Sequence, residues 1–143
     1  MKNVYLLAQT LSVFKLTQNY LYDFRVSVGP SMLPTLTEAG DLLFIDKMNP
    51  RLKGYQKGDI ILAKSPLKPD THLCKRVVAC GGEVVHSDEA IIEVPPGHLW
   101  VEGDNKTHSL DSRHFGPISE GLVEGRVKVR LWPKFEVFSN NAT

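Results

Sequence analysis

Between Asp41 and Trp132 the chain is cut into seven short apolar runs, and none of them carries helical periodicity. They are "DLLFIDK" (41–47), "GDIILAK" (58–64), "HLCKRVVA" (72–79), "EVVH" (83–86), "EAIIEV" (89–94), "HLWVE" (98–102) and "VEGRVKVRLW" (123–132). β-Branched residues crowd these runs, and turn-forming clusters such as "KGYQKGD", "SPLKPD", "CGGE" and "VPPGH" separate them. Strands joined by turns give this pattern. The expected fold is mainly β, antiparallel and barrel-like, with a short N-terminal helix. At 143 residues, 42% of them hydrophobic, one domain can bury its own core. It needs no disulfide scaffold: Cys74 and Cys80 share one run, about 20 Å apart if extended, and read as small apolar residues.

The expected domain organisation is an N-terminal helical segment over 1–25, a β-rich domain over 26–138 and a polar tail over 139–143. The opening segment, "MKNVYLLAQTLSVFKLTQNYLYDF", carries no acid before Asp23. Its charge-free stretch runs only from Asn3 to Phe14 before Lys15 interrupts it, short of the ~20 apolar residues that a spanning helix needs. Three readings follow: a weak anchor leaning on a partner, an interfacial helix, or an amphipathic helix packed on the domain. Seventeen Lys and Arg against sixteen Asp and Glu leave a net charge of +1, so no basic field points to nucleic acid.

The stretch "GPSMLPTL" (29–36) holds a serine between two prolines. It cannot be helical through the second proline, so Ser31 is displayed on a stiff irregular turn. A displayed serine becomes a nucleophile only if a base lies beside it. "HLCKRVVA" offers Lys75, whose same-face neighbours in a strand are Leu73 and Val77, while Arg76 falls on the opposite face. Alternation alone does not decide which of the two charges is buried. A lysine in water is almost wholly protonated at pH 7; burial among apolar neighbours frees the amine to act as a base. The stretch "EGDNKTHSLDSRHFGPI" (102–118) adds Ser109, Asp111 and Arg113, which share one face if 109–113 is extended. A hydroxyl there can orient the amine, and Asp111 can pair with Arg113, leaving no bare carboxylate to hold the proton on Lys75. "GDN" (103–105) reads first as a turn. His108 and His114 flank Asp111 at a spacing that fits no common zinc arrangement and read as loop residues. Trp100 and Trp132 read as core or sheet-edge packing.

Taken in order, "GPSMLPTL", "KGDIILAKSP", "CKRVVACGGE" and "EGDNKTHSLDSRHFGPISEGLVEGR" resemble the type I signal peptidase family and, within it, the mitochondrial inner membrane branch. The wording "AKSP…CKRV" and "GHLWVEGDN" is nearer to the first than to the second of that branch's two related subunits. The resemblance implies a serine endopeptidase that removes N-terminal sorting peptides from precursor polypeptides delivered to the mitochondrial intermembrane space. It implies a place on the inner membrane, a second related subunit as partner in a heterodimer, and no cofactor or metal. Position by position, Ser31 matches the family's nucleophile, Lys75 its general base, Ser109 the hydroxyl that orients the lysine, and Asp111 and Arg113 the supporting pair. Where some members carry an oxyanion-binding hydroxyl, two places before the nucleophile, this chain has Gly29; the oxyanion is then left to backbone N–H groups, chiefly that of Ser31. Two other readings compete: a non-catalytic or partner-dependent subunit of such a complex, and a self-cleaving Ser-Lys repressor. The second needs a DNA-binding segment, for which residues 1–28 are too short and too apolar.

Overall fold

The apolar runs pair as strands in a computed structural model that describes residues 2–87 and 90–139. In chain order the elements are helix α1 (Lys2–Tyr20), β1 (Tyr22–Ser27), a 3-10 turn (Pro30–Met32), β2 (Asp41–Asp46), α2 (Met48–Lys53), β3 (Ile60–Lys64) and β4 (His72–Cys80). Then follow β5 (Val84–His86), β6 (Ile91–Glu93), β7 (His98–Glu102), α3 (Ser112–Phe115), β8 (Ile118–Ser119), β9 (Val123–Trp132) and β10 (Glu136–Val137). The main sheet runs β1-β2-β9-β3-β4-β7-β8, with β10 added to β9, and β5-β6 forms a separate ribbon. Every pairing is antiparallel, as expected. Among the described residues the sheet does not close, since β1 and β8 stand at opposite ends of the path.

β3 explains the core. Its four consecutive apolar residues, Ile60 to Ala63, are all buried, which requires cover on both faces. Ile60 and Leu62 join Met32, Leu36, Leu43, Ile45, Cys74 and Val127 on one side. Ile61 and Ala63 join Val77, Leu99, Val101 and Ile118 on the other. β4 lies beside β3 in register Ile61↔Lys75 and Leu62↔Cys74, so Lys75 stands on the face of Ile61 and Val77. Both cysteines are free, Cys74 buried and Cys80 partly so. Trp100 is buried with its indole N–H on Glu102, whereas Trp132, at the end of β9, is 66% exposed.

Three expectations change. The helical segment stops at Tyr20, and residues 22–25 belong to β1, where Tyr22 and Phe24 pack on Phe44 across the strand pair. α1 does not pack on the domain: Val4, Leu7, Leu11 and Phe14 are exposed along it, so the third reading of this segment falls away. No helix among the described residues is long and apolar enough to cross a membrane. Finally, 109–113 is not extended throughout. Asp111 caps α3, one turn long, whose brevity leaves no periodicity to read. Glu89 and residues 140–143 of the polar tail lie outside the described residues.

Candidate active site

Ser31 is the middle residue of the 3-10 turn Pro30–Met32. Gly29, two residues before it, lies at φ 116, a conformation that side chains rarely adopt, so a hydroxyl residue at that place would be strained. Met32 answers why an apolar residue follows the serine. It is buried in the core with Leu36 and Leu43, and it pins the turn so that its neighbour faces outward. Lys75, on β4, is only 5% exposed. Its Nζ lies 2.8 Å from Ser31 Oγ, within hydrogen-bond reach across 44 residues of sequence.

Burial pulls the Lys75 amine below its usual range. The opposing pulls are smaller and come from Cys74, Asp111 and Asp104. Cys74 drops out at neutral pH, because burial pushes its thiol up to about 12 and leaves it uncharged. Each of the two carboxylates is already engaged by an arginine. Asp111 accepts from Arg113 Nε at 2.9 Å and Nη2 at 2.8 Å. Asp104 accepts from Arg76 Nε at 2.8 Å and Nη2 at 2.7 Å. Neither is free to hold the proton on Lys75 at full strength.

The five residues singled out in the sequence converge to different degrees. Ser31 and Lys75 touch. Asp111 and Arg113 pair, through the capping turn of α3 rather than along a strand face. Ser109 is buried close to Asp111, and its Oγ makes no hydrogen bond of ordinary geometry; it lies against Gly103, on which an added Cβ would stand 2.2 Å from Ser109 Oγ and 2.4 Å from the Ser31 carbonyl oxygen. His114 turns back on the Asp111 N–H as the other half of the capping box, and His108 is exposed beside Thr107. Sequence reasoning missed Arg76, Asp104 and Asn105. The signal was the "GDN" triplet, which looks like an ordinary turn until its Asp and Asn are seen to reach the serine segment.

Asp111 gives a test of its own. Burial alone would push its carboxyl up, but hydrogen bonds from the Arg113 side chain and the Gly103 N–H outweigh that and bring it down to about 2. A carboxyl held below its unfolded value stabilises the fold above about pH 4, and the contribution is lost as pH falls toward 2. It amounts to about 2 kcal/mol. Urea titrations of Asp111→Asn and the parent should therefore differ at pH 7 and approach each other near pH 2. A gap that stays constant with pH would rule this account out.

A cleft of about 340 Å³ leads to the Ser31–Lys75 contact. Residues 25–28 of β1 and the loop after it form one wall, His72–Lys75 of β4 the other, with Leu43 and Leu62 between them. Among the described residues both walls have an unpaired strand edge: β1 ends the sheet, and β7 pairs with β4 only from Arg76 onward. An extended peptide fits such a slot by backbone hydrogen bonding.

A serine hydroxyl within hydrogen-bond reach of a buried lysine amine, beside an open strand edge, is a pairing able to support nucleophilic chemistry on an extended chain. The family described as signal peptidase, peptidase S26, matches residues 1–93 and 86–132. The chain belongs to that family. This S26 peptidase is 36% identical over 126 residues to a mitochondrial inner membrane protease subunit 1 of Schizosaccharomyces pombe, covering 85% of this chain and 80% of that one. It is 39% identical over 141 residues to the mitochondrial ATP-independent inner membrane protease subunit 1b of Arabidopsis thaliana, covering 93% and 83%. Among solved structures, a signal peptidase I from Enterococcus faecalis V583 is similar with a TM-score of 0.46 and 25% identity, over 52% of this chain and 97% of that one.

Proposed function

We propose that this S26 peptidase is a serine endopeptidase working through a Ser31–Lys75 dyad, and that it removes N-terminal sorting peptides from precursors bound for the mitochondrial intermembrane space. The observation that carries the reading is the 2.8 Å contact between Ser31 Oγ and a buried Lys75 Nζ. Neutral Lys75 accepts the Ser31 proton as Oγ attacks the scissile carbonyl. The N–H of Ser31, second in its 3-10 turn and so without an acceptor inside it, serves the oxyanion. Collapse breaks the C–N bond, and the proton on Nζ goes to the departing amine. Lys75 then takes a proton from water as the water attacks the ester, and passes it to Ser31 Oγ as the ester C–O bond breaks, releasing the acyl product and restoring both groups. Asp111 and Arg113 brace the loop that carries Ser109, whose buried hydroxyl is the group this reading assigns to orienting the amine.

The relatives named as mitochondrial inner membrane protease subunits 1 and 2 support an inner-membrane location and a second related subunit as partner; in this reading the catalytic domain faces the intermembrane space. In this reading residues 1–25 are the anchor or interfacial segment, 26–138 the catalytic domain and 139–143 a tail. α1, with its exposed apolar residues, meets the membrane beside the partner rather than crossing it alone.

Peptide cleavage by the full chain in detergent, alone and with its partner, tests the activity. The pH profile tests the base. Because only the neutral amine accepts a proton, kcat/KM should climb toward alkaline pH along one limb that begins below the usual lysine range. A rate flat from about pH 5 to 9, with chemistry limiting, excludes a lysine base.

A further inference from the structure

Lys75 and Arg76 point to opposite faces of β4, yet they reach the two ends of the same turn. In front, Lys75 Nζ meets Ser31. Behind, Arg76 grips Asp104 with two parallel hydrogen bonds. Asp104 Oδ2 accepts from the Thr35 hydroxyl, four residues past Ser31, and Arg76 Nη2 also comes within 3.4 Å of the Thr35 hydroxyl oxygen. The next residue closes the turn from above: Asn105 donates its N–H to the Ser31 carbonyl at 3.0 Å and its side-chain amide to the Pro30 carbonyl at 3.1 Å.

We propose that Asp104, held by Arg76 and acting on Thr35, forms with Asn105 a positioning strut that fixes the serine turn against β4 at the distance the Ser31–Lys75 contact requires. The inference rests on the dyad reading and deepens it. None of these residues touches the reacting atoms; they are positioning residues. The reason a strut is needed lies in what else holds the turn. Met32 and Leu36 anchor it by apolar packing, which is strong but has no preferred direction. Packing alone lets the turn slide by fractions of an ångström, whereas proton transfer tolerates little misplacement. Charge-assisted hydrogen bonds from a planar guanidinium set both distance and angle. Arg76 also anchors itself, with Nη1 on the Gly58 carbonyl at 2.9 Å, so the strut is tied to the body of the domain. The far end is fixed independently, since Arg130 Nη1 donates to the Thr35 carbonyl at 2.8 Å.

The test uses the full chain in detergent micelles, with its partner if cleavage requires it, and three variants: Thr35→Val, Thr35→Ser and Asp104→Asn. Thr35→Val keeps the shape and deletes the hydroxyl. It should lower kcat about 10- to 100-fold with KM changed by less than about twofold, as expected when geometry rather than binding is lost. Thr35→Ser should restore most of that loss. In Asp104→Asn, hydrogen exchange at the Asn105 amide should quicken at least about tenfold while the melting temperature changes little. The strut is overturned if Thr35→Val keeps parental kcat, if Thr35→Ser recovers nothing, or if Asn105 exchange is unchanged in Asp104→Asn. A parent chain that cleaves nothing, alone or with its partner, instead overturns the dyad reading, and the exchange measurement still decides the strut.

Discussion

Lys75→Met should remove cleavage and leave a protein at least as stable as the parent. The methionine stem follows the path of the lysine stem and fills the same buried volume beside Ile61 and Val77, so no large cavity opens. What disappears is the amine 2.8 Å from Ser31 Oγ. Losing a general base costs about 10²–10⁴ in rate, and here no second base stands in reserve, because Asp104 and Asp111 are each bound by an arginine. Stability moves the other way. Burial holds the Lys75 amine below its usual range, so its folded form resists protonation. That resistance lowers stability as pH falls through the folded value, and methionine is free of it. Ser31→Ala should be as inactive, with its stability near the parent's, since Ser31 is only partly buried. Peptide cleavage and thermal melting on both variants check this. Cleavage by Lys75→Met at the parental rate would sink the dyad.

The strands were legible because their chemistry is local. "HLWVE" and "IILAK" are apolar, β-branched and bounded by turns, and they form strands where the pattern puts them. β1 escaped notice because Tyr22–Ser27 follows directly on a helix with similar residues, and only its register against β2 distinguishes it. The serine and the lysine stood out because each is an oddity in its segment, a hydroxyl between prolines and a charge in an apolar run. Which of Lys75 and Arg76 is buried was beyond alternation, and the answer comes from β3, whose Ile61 sits opposite Lys75. The arginine pairs divide in the same way. Asp111 and Arg113 lie two residues apart and could be guessed as partners; Arg76 and Asp104 lie 28 apart, and nothing in either segment names the other. Contacts made by tertiary folding leave no trace in spacing.

Gly103→Ala should be severely damaging. An added Cβ would stand 2.2 Å from Ser109 Oγ, 2.5 Å from Ser109 Cβ and 2.4 Å from the Ser31 carbonyl oxygen, distances real atoms do not share. Relief by rotation is not available. The Ser31 carbonyl is backbone and already accepts from the Asn105 N–H. Gly103 cannot retreat either, because its own N–H donates to buried Asp111 at 2.9 Å. Ser109 is buried on the same loop, with its Cβ, not just its hydroxyl, in the way. The turn carrying Ser31 must therefore move away from the loop carrying Ser109. A shift near 1 Å at a reacting group costs about 10² in rate, and the overpacking costs about 1–3 kcal/mol of stability. Gly29→Ala makes the contrast. No atom lies within 4 Å of a Cβ there, so its cost is backbone strain at φ 116, about 1–3 kcal/mol, without a wedge between the two serines. If loss of rate merely tracked loss of stability, the two variants would be equally impaired. If Gly103 is the spacer between Ser31 and Ser109, Gly103→Ala is far slower than Gly29→Ala at matched stability, and kcat measured well below both melting temperatures separates the outcomes.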